Sequence, residues 1–240
     1  NYATKGLGHN GQPGYVIAPS TVQEAVDLAY TALDKAQELE CPVLLMLDGM
    51  IGQMEEPVVF QPFKKGEVPL KFVPPTGAKG RQKVMSRSMP LPMSMTESMD
   101  DALERHRNQL YQDTRRWVEE EVLFEEYQME DAEFVIVAYG SSARICRDTI
   151  NMMRAQGVKV GMFRPITLFP FPENQIKAFK DKNVKAVLTV EMAMPPMLHN
   201  DVRLHLDQSI PCKFYNRCGG NMVDENEAMD ALEKLIEEVR

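Results

Sequence analysis

Residues Lys5-Gly6-Leu7-Gly8-His9-Asn10-Gly11 combine a cation, an imidazole and three closely spaced glycines. Glycine lets the backbone approach a ligand closely, and runs of exposed amides attract anions, so this composition suits an anionic ligand. It does not have the spacing of a Walker phosphate loop, and a terminal loop without a ligand accounts for it equally well. His9 has no nearby carboxylate or cysteine in sequence, which argues against a metal ligand. His199 and His205 could share a helix, but a spacing of six places them on nearly opposite faces.

Other chemistry-bearing residues fall after apolar runs. Asp48, Glu55 and Glu56 follow Val43-Leu44-Leu45-Met46-Leu47, and Glu191 follows a stretch from Val184 to Val190 that reads as a strand. The carboxyl ends of strands are where α/β proteins gather functional groups, although Asp48-Gly49 also reads as a plain turn. Gly140-Ser141-Ser142 lies where a Rossmann fold would put its phosphate loop but lacks the Gly-x-Gly-x-x-Gly spacing, so a tight turn with a serine helix cap is the stronger reading. No Gly-x-Ser-x-Gly elbow occurs, and no histidine is placed in sequence to activate a cysteine. Cys41, Cys146, Cys212 and Cys218 form no Cys-x-x-Cys pair, which removes the usual sign of an iron–sulfur cluster or structural zinc; they read as reduced and buried.

The elements that must position these residues are legible in part. Ser20 and Gln23 suggest a capping box, and Val22, Val26, Ala29, Leu33 and Ala36 recur at helical spacing until Cys41-Pro42. A strand over residues 43–47 follows, its continuous apolar run suiting burial on both faces. From Glu55 to about Ser98 prolines interrupt every period, which predicts a contact-making linker draped over a neighbour. A polar helix is expected over about 100–127, with Leu103, Leu110, Trp117 and Val118 as its apolar stripe. Strand, turn and helix recur from Glu133, with strands near 134–138, 158–163, 184–190 and 212–215, a short helix near 173–179 and a last helix over 224–239. That order favours an open parallel sheet.

The chain has 240 residues, 44% of them apolar and 26% charged, a globular composition. Its 27 basic and 35 acidic residues leave a formal charge of −8, which argues against nucleic acid as a partner. The sequence has neither a membrane-length apolar run nor a signal pattern, so a cytoplasmic chain with no membrane partner is expected.

Ala18-Pro19-Ser20-Thr21-Val22-Gln23-Glu24 and the stretch from Pro42 to Met54 resemble the α subunit of 2-oxoacid:ferredoxin oxidoreductases, nearest the 2-oxoisovalerate (ketoisovalerate, branched-chain) type. Lys5-Gly6-Leu7-Gly8-His9, Gly140-Ser141-Ser142-Ala143-Arg144 and the run from Phe163 to Pro172 agree in order, so the resemblance covers essentially the whole chain. It implies an α/β fold in which a partial thiamine-diphosphate pyrimidine-binding domain (residues 1–56) is followed by a linker with a helix (57–130) and a transketolase-C-terminal-like parallel-sheet domain (131–240). It further implies one subunit of a hetero-oligomer, inactive alone, that oxidatively decarboxylates a branched-chain 2-oxoacid to an acyl-CoA and passes electrons to ferredoxin.

Thiamine diphosphate and Mg would be shared with a β-type subunit, coenzyme A would be a substrate, and iron–sulfur clusters would sit only on partners, among them a ferredoxin-like subunit. Lys5, Gly6, Gly8 and His9 are then the residues expected to line a cofactor or substrate site. The activating glutamate is expected upstream of residue 1, so the chain reads as N-terminally incomplete with its catalytic residues unassigned. Family members often carry Glu-Met-Asn-x-Gly-Gln where this chain has Glu191-Met192-Ala193-Met194-Pro195-Pro196. A non-catalytic α/β interaction module of the same family is the alternative.

Overall fold

In the computed structural model of the chain, residues 3–6, 14–39, 41–62 and 92–239 are described. Helix α1 (Val22–Glu38) starts one residue later than the Ser20/Gln23 pattern predicts: Thr21 is the cap, its Oγ1 accepting from the Glu24 amide at 3.1 Å. The Glu24 carboxylate reaches back to the Ser20 amide at 2.6 Å. Gln23 is freed to grip the backbone of Val59, accepting its N–H at 2.7 Å and donating to its carbonyl at 3.0 Å. The helical period is as expected but the buried face differs. Leu28 is buried and Ala32 packs beside it, whereas Leu33 is 66% exposed.

Two short strands flank this helix. β1 (Tyr15–Ile17), not signalled by the sequence pattern, is completely buried, and β2 (Val43–Leu45) pairs parallel to it. β2 is shorter than the apolar run and lies at a sheet edge, leaving Met46 and Leu47 exposed. Gly14 lets the two strands approach, since a Cβ there would lie 2.9 Å from the Pro42 carbonyl oxygen.

Helix α2 (Met99–Glu120) begins with a Ser98–Asp101 capping box and buries Trp117 and Val118, two members of the expected stripe. It stops seven residues before the expected end, because Phe124–Tyr127 forms β3, antiparallel to β5 (Val160–Pro165). The glutamate-rich segment has helical propensity, but pairing with a fully buried strand outweighs it.

The larger sheet runs β3-β5-β4-β7-β8, where β4 is Phe134–Ala138, β7 Ala186–Glu191 and β8 Cys212–Asn216. All but β3 are parallel. Side chains alternate across it. Phe134, Ile136 and Ala138 pack with Ile150 of α3 (Gly140–Ala155) and with Leu232 of α6 (Glu225–Val239). Val135 and Val137 pack on the other face with Ile176 of α4 (Glu173–Lys177) and Val202 of α5 (Leu198–His205). Helices on both faces explain the continuous apolar run of β4 and the largely apolar β7, interrupted by the buried Thr189.

The two sheets share one stretch of chain. After β5 the backbone turns at Ile166 into β6 (Thr167–Phe169), which pairs antiparallel with β1 and completes a three-stranded sheet ordered β2-β1-β6. Beside that crossing lies Arg164, only 5% exposed. It holds both Glu24 oxygens at 2.8 and 2.9 Å and Glu125 at 2.7 Å. No helix among the described residues is long and apolar enough to cross a membrane.

Candidate functional site

A cavity of about 520 Å3 opens where α2, α5, β6 and residues 4–6 meet. One face of α2 supplies Arg107, Leu110, Tyr111, Thr114, Arg115 and Val118, spaced as one side of a helix must be. Leu168 and Phe169 of β6, followed by Phe171, form an apolar wall, and Asp201 and His205, one turn apart on α5, close the other side.

Two of the sequence-predicted residues reach this cavity. Gly6 takes a φ of 102°, a conformation that suits glycine, and Lys5 turns its ammonium onto Asp201 in an ion pair. Gly8 and His9 lie outside the described residues.

Glu173 was not singled out by the sequence, yet it is a charged group at 6% exposure in the cavity wall. Arg115 donates to its Oε1 at 2.7 Å, Lys177 stands 3.3 Å from the same oxygen, and His205 Nδ1 faces Oε2 at 3.4 Å. Burial works against its charge, but the hydrogen bonds from Arg115 and Lys177 prevail and hold its carboxyl below the ordinary range. His205 stacks on Phe171 with ring centres 5.8 Å apart, and burial pulls its pKa down despite Glu173. Arg107, Arg115, Glu173 and Asp201 carried no sequence motif. Helical spacing shows which of them share a face but not what that face meets.

The remaining candidates have structural roles. Asp48 Oδ1 accepts from the amides of Met50 and Ile51, and its Oδ2 accepts from the Ser141 amide at 2.8 Å. A carboxylate of the chain itself therefore occupies the N-terminus of α3, the place where a Rossmann fold would bind phosphate. Gly140, with φ of 60°, makes room for it, since a Cβ there would sit 2.9 Å from Asp48 Oδ2. The cap position of α3 is Tyr139, without a side-chain cap bond, so the expected serine cap is not formed.

Glu191 is buried and accepts from the amides of Met197, Leu198 and His199 at 2.9 to 3.1 Å, which caps α5. Tyr139 is pushed up to about 12 by burial, followed by the nearby charges of Glu191, Asp48 and Asp201. Glu56 pairs with Arg144 at 2.8 Å.

His199 and His205 point to different neighbours, in keeping with their spacing. His199 Nδ1 lies 3.0 Å from the Thr189 hydroxyl and 3.7 Å from Cys212 Sγ, a thiol–imidazole pair that sequence spacing did not reveal. Burial pushes the Cys212 thiol up to about 12, which leaves it without nucleophilic character at neutral pH. The four cysteines are unpaired. Cys41 and Cys146 are buried, but Cys212 is half-buried and Cys218 exposed, contrary to the expectation for all four. Cys212 sits on the edge strand β8 with the core packed against it on one side, and Cys218 lies in the exposed loop after that strand. No group of three or more His, Cys, Asp or Glu is arranged for a metal among the described residues.

Comparison with known proteins places this geometry in a family. Residues 10–125 match the pyruvate flavodoxin/ferredoxin oxidoreductase thiamine diphosphate-binding domain, and residues 132–228 match pyruvate:ferredoxin oxidoreductase core domain II. The ketoisovalerate oxidoreductase subunit VorB of Methanothermobacter thermautotrophicus is 36% identical over 239 residues, covering 99% of this chain and 64% of that protein. The chain thus spans just under two thirds of the length of this relative. Among solved structures, a 2-oxoglutarate:ferredoxin oxidoreductase from Magnetococcus marinus superposes with a TM-score of 0.75 at 18% identity, covering 100% of this chain and 44% of that one. An inactive tetramer of a split-gene transketolase superposes at 0.51 with 14% identity over 95% of this chain and 59% of its own. Both structural likenesses concern the fold. With consecutive matches to two domains of one enzyme family and 36% identity running through 99% of its length, the chain belongs to the 2-oxoacid:ferredoxin oxidoreductases.

Proposed function

We propose that the chain acts as part of the α-type subunit of a thiamine diphosphate-dependent oxidoreductase that decarboxylates a branched-chain 2-oxoacid, forms an acyl-CoA and sends the electrons to ferredoxin. The observation that carries this reading is the end-to-end identity to a ketoisovalerate oxidoreductase subunit, 36% over 239 residues. In it, residues 1–56 belong to the pyrimidine-binding domain, 57–130 form a connecting segment and 131–240 form the transketolase-C-terminal-like domain. A β-type subunit and an iron–sulfur, ferredoxin-like subunit are its partners, iron–sulfur clusters and part of the thiamine and Mg site lie on those partners, and the complex works in the cytoplasm.

Bound thiamine diphosphate would supply the carbanion chemistry in such a complex. The described residues fit a supporting wall and not the diphosphate seat: the N-terminus of α3 already holds Asp48, and the described acidic residues form no cation cluster. What this chain contributes is position. Asp48 ties the loop after β2 to α3, Arg164 ties α1 to β5 and β3, and Lys5 and Gly6 line the cavity.

The test is co-expression with a β-type and an iron–sulfur subunit. CoA-dependent reduction of a viologen dye by 2-oxoisovalerate, absent from the isolated 240-residue chain, is expected. Activity of the chain alone, or an assembled complex that prefers 2-oxoglutarate or pyruvate, overturns the proposal. In the complete complex, His9→Ala lowers turnover or raises KM for the 2-oxoacid; unchanged kinetics remove His9 from the site.

A further inference from the structure

We propose that the cavity between α2, β6 and α5 is a binding site for a small neutral phenol, one aromatic ring carrying a single O–H donor. The inference is independent of the oxidoreductase reading and rests on the walls of the cavity. Its size, about 520 Å3, lies within the range of small-molecule sites. Four rings line it: Tyr111 from α2, Phe169 from β6, Phe171 shortly after it and His205 from α5. Phe171 and His205 are already stacked, with 5.8 Å between centres and 23° between planes. Rings prefer offset or edge contacts with other rings, so an aromatic body gains more here than an aliphatic chain of the same area.

The charges of the wall are already matched to one another. Lys5 pairs with Asp201 and Arg115 with Glu173, one cation to each carboxylate, and Arg107 is engaged as well. An anion or a cation entering this cavity would lose its hydration without a free counter-charge to meet it, a cost that a neutral ring does not carry. One polar atom of the wall stands apart. His205 turns Nδ1 to Glu173 Oε2 at 3.4 Å, which favours the proton on that nitrogen, and burial keeps the imidazole uncharged near neutrality. Nε2 is then a lone-pair acceptor on a ring that lines the cavity, without a hydrogen-bond partner among the described residues. The O–H of a phenol supplies the donor this nitrogen lacks, while its ring meets the aromatic wall.

Fluorine NMR of the full protein, in the assembly in which it purifies, tests this with four probes built on one ring: 4-fluorophenol, its near-isostere 4-fluorotoluene, 4-fluorobenzoate and 4-fluorobenzylamine. Saturable binding of 4-fluorophenol is expected, with 4-fluorotoluene weaker by about tenfold, the worth of one hydrogen bond, and neither charged probe saturating. His205→Phe keeps a ring against Phe171 but removes the acceptor, so the phenol falls to the affinity of the toluene. Leu110→Phe, which narrows the apolar wall without touching a charge, abolishes binding of both. The melting temperature and the emission of the single tryptophan, Trp117, report whether each variant folds, and the four titrations of the unaltered protein decide alone if neither does. Failure of 4-fluorophenol to saturate, equal binding of 4-fluorotoluene or of either charged probe, or a preference for the phenol that survives in folded His205→Phe overturns the proposal. Unchanged phenol affinity in folded Leu110→Phe overturns it too, because the binding then lies elsewhere.

Discussion

A guanidinium at 5% exposure is stable only where its donors meet acceptors, and Arg164 meets three carboxylate oxygens, two from Glu24 and one from Glu125. Glu125 also pairs with Arg147, so two cations and two anions form one connected network. Arg164→Met leaves the half-buried Glu24 without its counter-charge, and a loss of about 2–4 kcal/mol in urea unfolding is expected. Arg164→Lys keeps the charge but not the fork and falls between the two. The pH dependence follows from Glu24. Burial opposes its charge, but Arg164 and the Ser20 bonds prevail, so its folded pKa lies below the unfolded value of about 4.3. Its contribution is therefore present above that value and lost as pH falls through the lower folded pKa. Acid titration of stability should lose this component in Arg164→Met, and an unchanged acid limb would show that Arg164 does not set it. Gly140 is a second residue with a single solution: Gly140→Ala meets Asp48 at a positive φ, and a cost of at least about 2 kcal/mol is expected by the same measurement.

The helices show what periodicity can and cannot convey. In α1 the spacing of apolar residues marks a helix correctly, but the stripe of Val22, Val26, Ala29, Leu33 and Ala36 is not the side that meets the sheet. The side that β1 and β2 cover is the one carrying Leu28, Ala32 and Leu39. Leu28→Ala should cost about 2–5 kcal/mol, while Leu33→Ala should stay within about 0.5 kcal/mol, as measured by urea denaturation. A reversal of that order would mean that α1 is rotated about its axis. The strands were legible where helices cover both faces, as in β4 and β7, because double burial leaves an unbroken apolar run in β4 and a largely apolar one in β7. β1, β3 and β6 were not. Each has three or four residues, and each is specified by its partner: β3 by the buried β5, β6 by β1. For the same reason the cavity could not be read from sequence, since Glu173, Asp201 and Arg115 come from three helices and only their assembly brings them together.

At the scale of the molecule the two sheets are unequal partners. The larger has five strands with helices on both faces, whereas the smaller has three strands of three residues each among those described. A ribbon of that size holds too few cross-strand contacts to be stable by itself. It is held by the larger unit through β6, which belongs to the same stretch of chain as β5, and through the Arg164–Glu24 and Asp48–Ser141 contacts on either side. The smaller sheet should then open only when the larger one does, or when this join is broken. Native-state hydrogen exchange measures the distinction. The amides of Val16 and Ile17 are expected to exchange with an opening free energy near that of Val135 and Val137 in the native chain. In Arg164→Met the pair in β1 should become the faster by at least about tenfold relative to β4, because the lost ion pair lies at the join and not within the larger core. If both pairs instead shift equally in the variant, Arg164 stabilises the whole molecule without coupling its halves. If the β1 amides already exchange far faster in the unaltered chain, the smaller sheet is an independent, weakly held unit and β6 does not anchor it.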